Sequence, residues 1–379
     1  MWLKGWKREN HDRHFGEGRD PVLSKAKCEA SEHWARLGLG IRWEGATMRF
    51  HLSSEQVAIQ DAIRGTLASV WPLERLHKFA DSNDDFDQLS WDALMSLGLG
   101  SILLPESGMG LLDAALVCEG AGEAAAAGPL IGQLLSVAAV ARSSNEAAKA
   151  HLENLCLGKA VATLALGEGP YVQCARAASF FLAGTRDGAL HLVEGGEGVR
   201  IEAVKSTDRT RPISQVSFTG ATTHILFPAG DPMVEKIHDA ALVLIAADAL
   251  GGAQHCVDQA VAYAKEREQF GQPIGQFQGL KHQLAQMALD VEPARALVWY
   301  AAYTHDTNLP DAPRAAAMAK AHLCEVYTRT TRAAIAAHGG IGYTWEYGLN
   351  YWFRRSVFNR AWLGSPRSHR ARAADMAGW

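Results

Sequence analysis

Residues 237–268, IHDAALVLIAADALGGAQHCVDQAVAYAKERE, constrain the rest of the chain. The first half of this stretch is apolar nearly all round. A helix of that kind must be packed on several sides. The sequence supplies the neighbours. A second long helix is predicted over residues 278–306 and a third over about 313–337. A helical pattern dense in Ala and Leu, broken at Pro72, Pro105 and Pro129, precedes them over residues 52–157. Between the helical regions, VATLALGEG, SFFLAGT, ALHLVEGG and QVSFTGATTHILFPAG are short runs punctuated by Gly or Asp, which is how strands and hairpins read. The predicted class is α+β and mainly α. A helical domain spans 48–157, a small β domain 158–232 and a C-terminal helical-bundle domain 233–379.

Residues 1–47 differ in character. They are charged, hold four tryptophans, lack clean periodicity and have no apolar signal core. Met48 is followed by a Ser53 or Ser54 cap and an apolar stripe at Ile59, Ile63 and Leu67. The leader is expected to be disordered or a non-native extension, or alternatively a short adaptor.

With 48% hydrophobic and 21% charged residues and a net charge of −4, nothing points to nucleic acid or an anionic membrane. No uninterrupted apolar run reaches the length of a membrane span; the Ala-rich stretch 121–141 is broken by Glu123, Gly128, Pro129 and Gly132. Six scattered cysteines form no CxxC pair, so no metal site or disulfide framework is signalled and a cytoplasmic setting is expected.

Two motifs carry chemistry. YAKEREQFGQPIGQFQGLKHQLAQM, residues 263–287, interrupts a helical pattern with an Arg-x-x-Phe-Gly turn and Pro273. HGGIG, residues 338–342, ends a helix with glycines that let a backbone approach a ligand closely, and YTWEYGLNYWFRR follows it. Together, at this spacing, they resemble the C-terminal domain of the acyl-CoA dehydrogenases, flavoproteins that oxidise an acyl-CoA thioester at its α,β carbons. The resemblance runs from about residue 50 to 370 and is strongest from 233 onward. It implies the acyl-CoA dehydrogenase fold, with an N-terminal helical domain, a small β domain and a C-terminal four-helix bundle.

The resemblance also implies FAD as cofactor. Arg267 would reach the FAD diphosphate across a subunit interface, a task suited to a guanidinium fork. Phe270 would lie against the cofactor, Gly271 would permit the turn, Pro273 would stop the helix and Gln278 would offer an amide. Gly339 and Gly340 would lie along the adenosine half of FAD bound by the neighbouring subunit. One flavin-contacting glutamine of the family is replaced by Ala336. The β domain is shortened where the family covers the flavin ring, leaving only Thr163, Gly167, Glu168 and Gly169 as stand-ins.

Removing the proton α to a thioester carbonyl requires a carboxylate tuned by burial. The family's usual position, 21 residues beyond Gly342, is Leu363. The minority position, on the buried helix, is Ala241, with Leu242 where a CoA-holding arginine is usual. Asp239 stands where the family contacts the pantetheine arm of the substrate. Asp248, two turns along the same face from Ala241, is either a substitute base or a structural acid.

Contacts lent to a neighbour are kept while both base positions are empty. The leading expectation is therefore the base-lacking subunit of a heteromeric enzyme, similar to those that degrade steroid and cholesterol side chains. A second acyl-CoA dehydrogenase subunit would be its partner and an electron-transfer flavoprotein its acceptor. The alternatives are a homomeric enzyme using Asp248 or Asp239 as base, and a non-enzymatic scaffold or acyl-CoA-binding paralogue.

Overall fold

The computed structural model describes residues 51–167, 169–184 and 188–379. The expectations for residues 1–47 and for Glu168 lie outside the described residues.

Helix α1 (Ser54–Val70) starts at a capping box: the Ser53 hydroxyl accepts from the Gln56 N–H while the Gln56 side chain accepts from the Ser53 N–H. Helices α2 (Leu73–Asp81), α3 (Gln88–Ser96), α4 (Leu111–Glu123), α5 (Leu130–Arg142), α6 (Glu146–Lys149) and α7 (Leu152–Cys156) complete the N-terminal layer. Seven strands follow: β1 (Ala162–Ala165), β2 (Tyr171–Gln173), β3 (Phe180–Gly184), β4 (Leu190–Glu194), β5 (Val199–Val204), β6 (Ile213–Phe218) and β7 (Thr223–Phe227). They form one sheet of order β1-β3-β4-β7, with β1 and β3 parallel, and a second, antiparallel sheet of order β2-β6-β5. Alternation along β3 divides its side chains between two cores. Phe180 and Leu182 face the helices, and Phe181 and Ala183 join Val172, Val193 and Val216 in a small core of their own.

Helix α8 (Pro232–Glu266) is the axis of the molecule. Asp231 caps it by accepting from the Met233 N–H, and Pro232 occupies the first turn, where no N–H is needed. Its 35 residues span about 52 Å. One 18-residue window reaches a mean hydropathy of 1.5, apolar and long enough to cross a bilayer, yet 89% of that window is buried inside the fold. Asp239 and Asp248 interrupt the run in the sequence, so a search for an unbroken apolar stretch does not find it.

Around α8 pack α4, α9 (Gln278–Asp306) and α10 (Ala312–His338), with α11 (Leu349–Ala361) and α12 (Pro366–Met376) against α10. The main core runs without a break from Ile63 through Leu182 and Leu244 to Leu349. The boundaries read near 157 and 232 coincide with changes of secondary structure, and the main core crosses both while the β layer adds its own small cluster. The crossing of α4 and α8 is a backbone contact: a Cβ on Gly251 would sit 1.8 Å from the Glu119 carbonyl oxygen, and one on Gly122 would sit 2.1 Å from that of Asp248.

Asp248 is buried at the centre of this packing. Its carboxylate accepts from Arg211 Nη2 (2.9 Å), from Arg355 Nε (3.2 Å) and from Asn359 Nδ2 (2.6 Å). Arg355 also donates to the Ala126 carbonyl (2.9 Å) and the Thr210 hydroxyl (3.1 Å). Asp208, which accepts from the Thr210 N–H and hydroxyl, is a second buried carboxyl beside the cluster, and burial pushes its pKa up. Burial alone would raise the Asp248 pKa, but Arg211 and Arg355 outweigh it and hold the carboxyl at about 2.

This packing makes two expectations about stability. Asp248→Asn strips the charge that balances two buried guanidinium groups, and urea denaturation at neutral pH is expected to show a loss of about 3–5 kcal/mol. The folded-state pKa lies below the ordinary value of about 3.9, so this stabilisation is complete above about pH 4 and lost as pH falls toward 2. Wild type should weaken across that window more steeply than the variant. Gly251→Ala, which drives a methyl into the backbone of α4, should cost at least about 1–3 kcal/mol in the same assay.

Candidate functional site: a bundle tip and a distant cleft

The first motif forms the tip of the bundle. Helix α8 ends at Glu266, where Arg267 turns to extended backbone (ψ 122°). A two-residue hairpin follows, with β8 (Glu268–Gln269) paired to β9 (Gln272–Pro273). Its turn residues Phe270 and Gly271 both have positive φ, 54° and 77°, as a tight hairpin of this length requires. The sequence points only to the glycine for such a conformation. The expectation that Pro273 stops the helix is corrected: the helix has already ended, and Pro273 lies in β9. Phe270 is 93% exposed, its ring edge-on to Phe277 at 6.1 Å. Gln278 opens α9 and is exposed. The Arg267 side chain is exposed and makes no ion pair among the described residues.

The glycine loop lies at the same end of the bundle. Tyr263, in the last turn of α8, stacks on His338, the last residue of α10, at 4.5 Å between ring centroids. Gly339 then leaves the helix at φ 64°, ψ −139°, a conformation open essentially to glycine. Gly339 and Gly340 are exposed and meet nothing within 4 Å of where a Cβ would sit, whereas Gly342 is packed against the Ile335 carbonyl. Ala336 is exposed on the same turn. The tip thus assembles Arg267, Phe270, Gly271, Gln278, Gly339 and Gly340 as one open surface of donors and backbone.

The other candidate residues gather far away. A cleft of about 800 Å³ opens between the β1–β2 loop (Leu166, Gly167, Gly169), Tyr171, the turn Trp362–Ser365 and α12. Leu363, at the usual position of the base, lines it with φ 54°. The Leu363 carbonyl is bonded to His369 Nε2 at 2.8 Å, and burial lowers the His369 pKa to about 4, which keeps the imidazole neutral. Among the described residues lining the cleft there is no carboxylate. Asp239 is buried behind Arg372 Nη1 (2.5 Å) and near His238 (3.9 Å), and these two partners line the cleft in its place. Ala241 and Leu242 are fully buried inside the core. The Thr163 hydroxyl donates to the Gln173 carbonyl at 2.6 Å within the sheets and is not free for a ligand.

Asp248 does not reach this cleft. Each of its oxygens already serves several donors, and with a pKa near 2 it is a weak proton acceptor. Arg211, Arg355 and Asn359, which hold it, were missed in the sequence. The signal was Arg355 itself, a charged residue inside the aromatic run YWFRR. His238, at the cleft, and Arg267, at the tip, lie near opposite ends of α8, about 43 Å apart at about 1.5 Å per residue.

The profile of the acyl-CoA dehydrogenase C-terminal domain matches residues 238–377, which include the glycine loop and the Leu363 turn. The acyl-CoA dehydrogenase IpdE2 of Mycolicibacterium smegmatis is 30% identical over 322 residues, covering 83% of this chain and 96% of the relative. Among solved structures, a variant of the Tcur3481-Tcur3483 steroid ACAD superimposes with a TM-score of 0.79 at 25% identity, over 86% of this chain and 98% of that one. The ChsE4-ChsE5 complex from Mycobacterium tuberculosis shares the fold, with a TM-score of 0.77 at 21% identity over 87% of this chain and 99% of that one. On the fold, the two motifs and the full-length similarity, this chain belongs to the acyl-CoA dehydrogenase family.

Proposed function

We propose that this chain is the base-lacking subunit of a heteromeric acyl-CoA dehydrogenase that acts on a steroid-derived acyl-CoA thioester. The observation that carries the reading is the division along α8. The tip offers an arginine without an ion-pair partner among the described residues, beside open glycines, while the cleft about 43 Å away has leucine where a base is needed.

The tip fits the diphosphate half of FAD. The exposed guanidinium can make two parallel charge-assisted hydrogen bonds to it, and Gly339 and Gly340 leave room for the backbone to approach. Thr163, the hydroxyl expected beside a flavin ring, does not line the cleft and donates instead to the Gln173 carbonyl within the sheets. Arg267 would therefore hold the diphosphate of an FAD seated in a partner's cleft, and the bound cofactor would supply the hydride acceptor for α,β-dehydrogenation. Leu363 cannot take the α proton, so a partner carboxylate must. This chain's part is to bind and orient the cofactor at the interface, with an electron-transfer flavoprotein drawing off the electrons. The steroid assignment draws support from the Tcur3481-Tcur3483 steroid ACAD, and the heteromer from the ChsE4-ChsE5 complex. A homomeric enzyme using Asp248 or Asp239 gains no support, since both carboxylates are buried in ion pairs and neither lines the cleft.

Visible absorption tests this directly. The purified chain alone should be colourless, and its complex with a co-expressed acyl-CoA dehydrogenase that retains the glutamate should carry about one flavin per unlike pair. A yellow homo-oligomer bleached by an acyl-CoA would overturn the reading. In the complex, Arg267→Ala should weaken FAD binding by about 10- to 100-fold, the worth of hydrogen bonds to a charged group, with the assembly intact by light scattering.

A further inference from the structure

The β domain holds a side-chain cluster that the proposed chemistry does not use. Glu194 ends β4, and His224 lies on the neighbouring strand β7. In the β4–β7 register Leu192 opposes His224, so Glu194 is the diagonal neighbour of His224 on the same sheet face. His151, from the turn between α6 and α7, lies over them. His224 Nε2 is 2.7 Å from Glu194 Oε1 and His151 Nε2 is 3.8 Å from the same oxygen; all three candidate ligand atoms lie within 4.8 Å of one another. None of the three lines the cleft or the bundle tip.

We propose that His151, Glu194 and His224 form a binding site for a divalent transition metal of the zinc class, clamping the α6–α7 turn to the sheet. Two imidazoles and one carboxylate are a ligand set that zinc accepts readily, whereas calcium and magnesium take oxygen ligands. Bonds of about 2.0–2.2 Å in tetrahedral geometry place ligand atoms roughly 3.3 Å apart. The observed spacings bracket that value, so small side-chain rotations complete the site.

The cluster is also held in place. The His151 ring packs on Phe180 at 4.7 Å between centroids, and Phe180 is the β3 partner of Glu194. Asn145, which caps α6, donates to the Ile225 carbonyl of β7 (3.1 Å) and fixes the turn against the strand. Glu194 has no Lys or Arg partner among the described residues; its ion-pair partners are the two histidines. Side-chain exposures of 33%, 36% and 13% leave a path of entry and an open fourth position for water. The ligands come from three separate segments, so their spacing in the sequence gives no motif.

The test is isothermal titration of the chelator-treated, dialysed full-length chain with zinc chloride, with Co²⁺ as a spectroscopic stand-in. Zinc should bind in a component that His151→Ala and Glu194→Gln each weaken at least about tenfold. The cobalt-loaded wild type should show visible bands typical of four-coordinate geometry, and both variants should lose them. Zinc, but not magnesium, should raise the wild-type Tm by a few degrees and leave that of Glu194→Gln unchanged. Glu194→Gln preserves side-chain shape, so its circular dichroism separates lost ligation from lost folding. Equal zinc affinity in wild type and both variants, or no zinc uptake by wild type, would overturn the proposal.

Discussion

The buried charges around Asp248 are the interaction on which the rest of the structure depends. Arg211 comes from the connection before β6, Arg355 and Asn359 from α11, and Asp248 from the middle of α8, while Arg355 also reaches the carbonyl that ends the α4 region. One carboxylate thus ties together the N-terminal helices, the β layer and the bundle. Two guanidinium groups face the ionised Asp248 and the buried Asp208 carboxyl, whose pKa burial raises. Removing one member leaves a charge with no water to receive it. The same arrangement explains why a buried aspartate here is a poor candidate for chemistry: cations that stabilise its ionised form also suppress its basicity.

Helix α8 turns that anchored core into a spacer. Because it is continuous for about 52 Å, the cleft at its start and the arginine at its end cannot serve the same cofactor ring within one chain. The proposed sharing of a cofactor between subunits rests on the length of this one helix. The close crossing with α4 at Gly122 and Gly251 leaves no side-chain layer to give way, which holds this spacing rigidly.

The legible parts of the sequence were those with strong local signals. The bounds of α9 could be read because Gln278 follows the hairpin and a loop follows Asp306, and the glycine loop because Gly339 needs a conformation other residues avoid. The end of α8 was misplaced at Pro273 because proline is a loud signal, while the true exit at Arg267 is set by the hairpin's pairing and carries no distinctive residue. Asp239 was visible as an acid, but its burial behind Arg372 depends on α12 folding back over 100 residues later in the chain, which no local pattern encodes. The partners of Asp248 were hidden for the same reason. Its cost was foreseen from burial, and only tertiary packing reveals what offsets it.

The turn at Leu363 has one more consequence. A bulky residue at φ 54° sits in a region that costs about 1 kcal/mol or more, and the backbone is kept there by His369 at the Leu363 carbonyl and Lys320 near that of Gly364. Both restraints grip main-chain atoms. The turn that presents position 363 to the cleft is thus gripped twice, through its main chain by His369 and Lys320 and through the Leu363 side chain by the core it packs into.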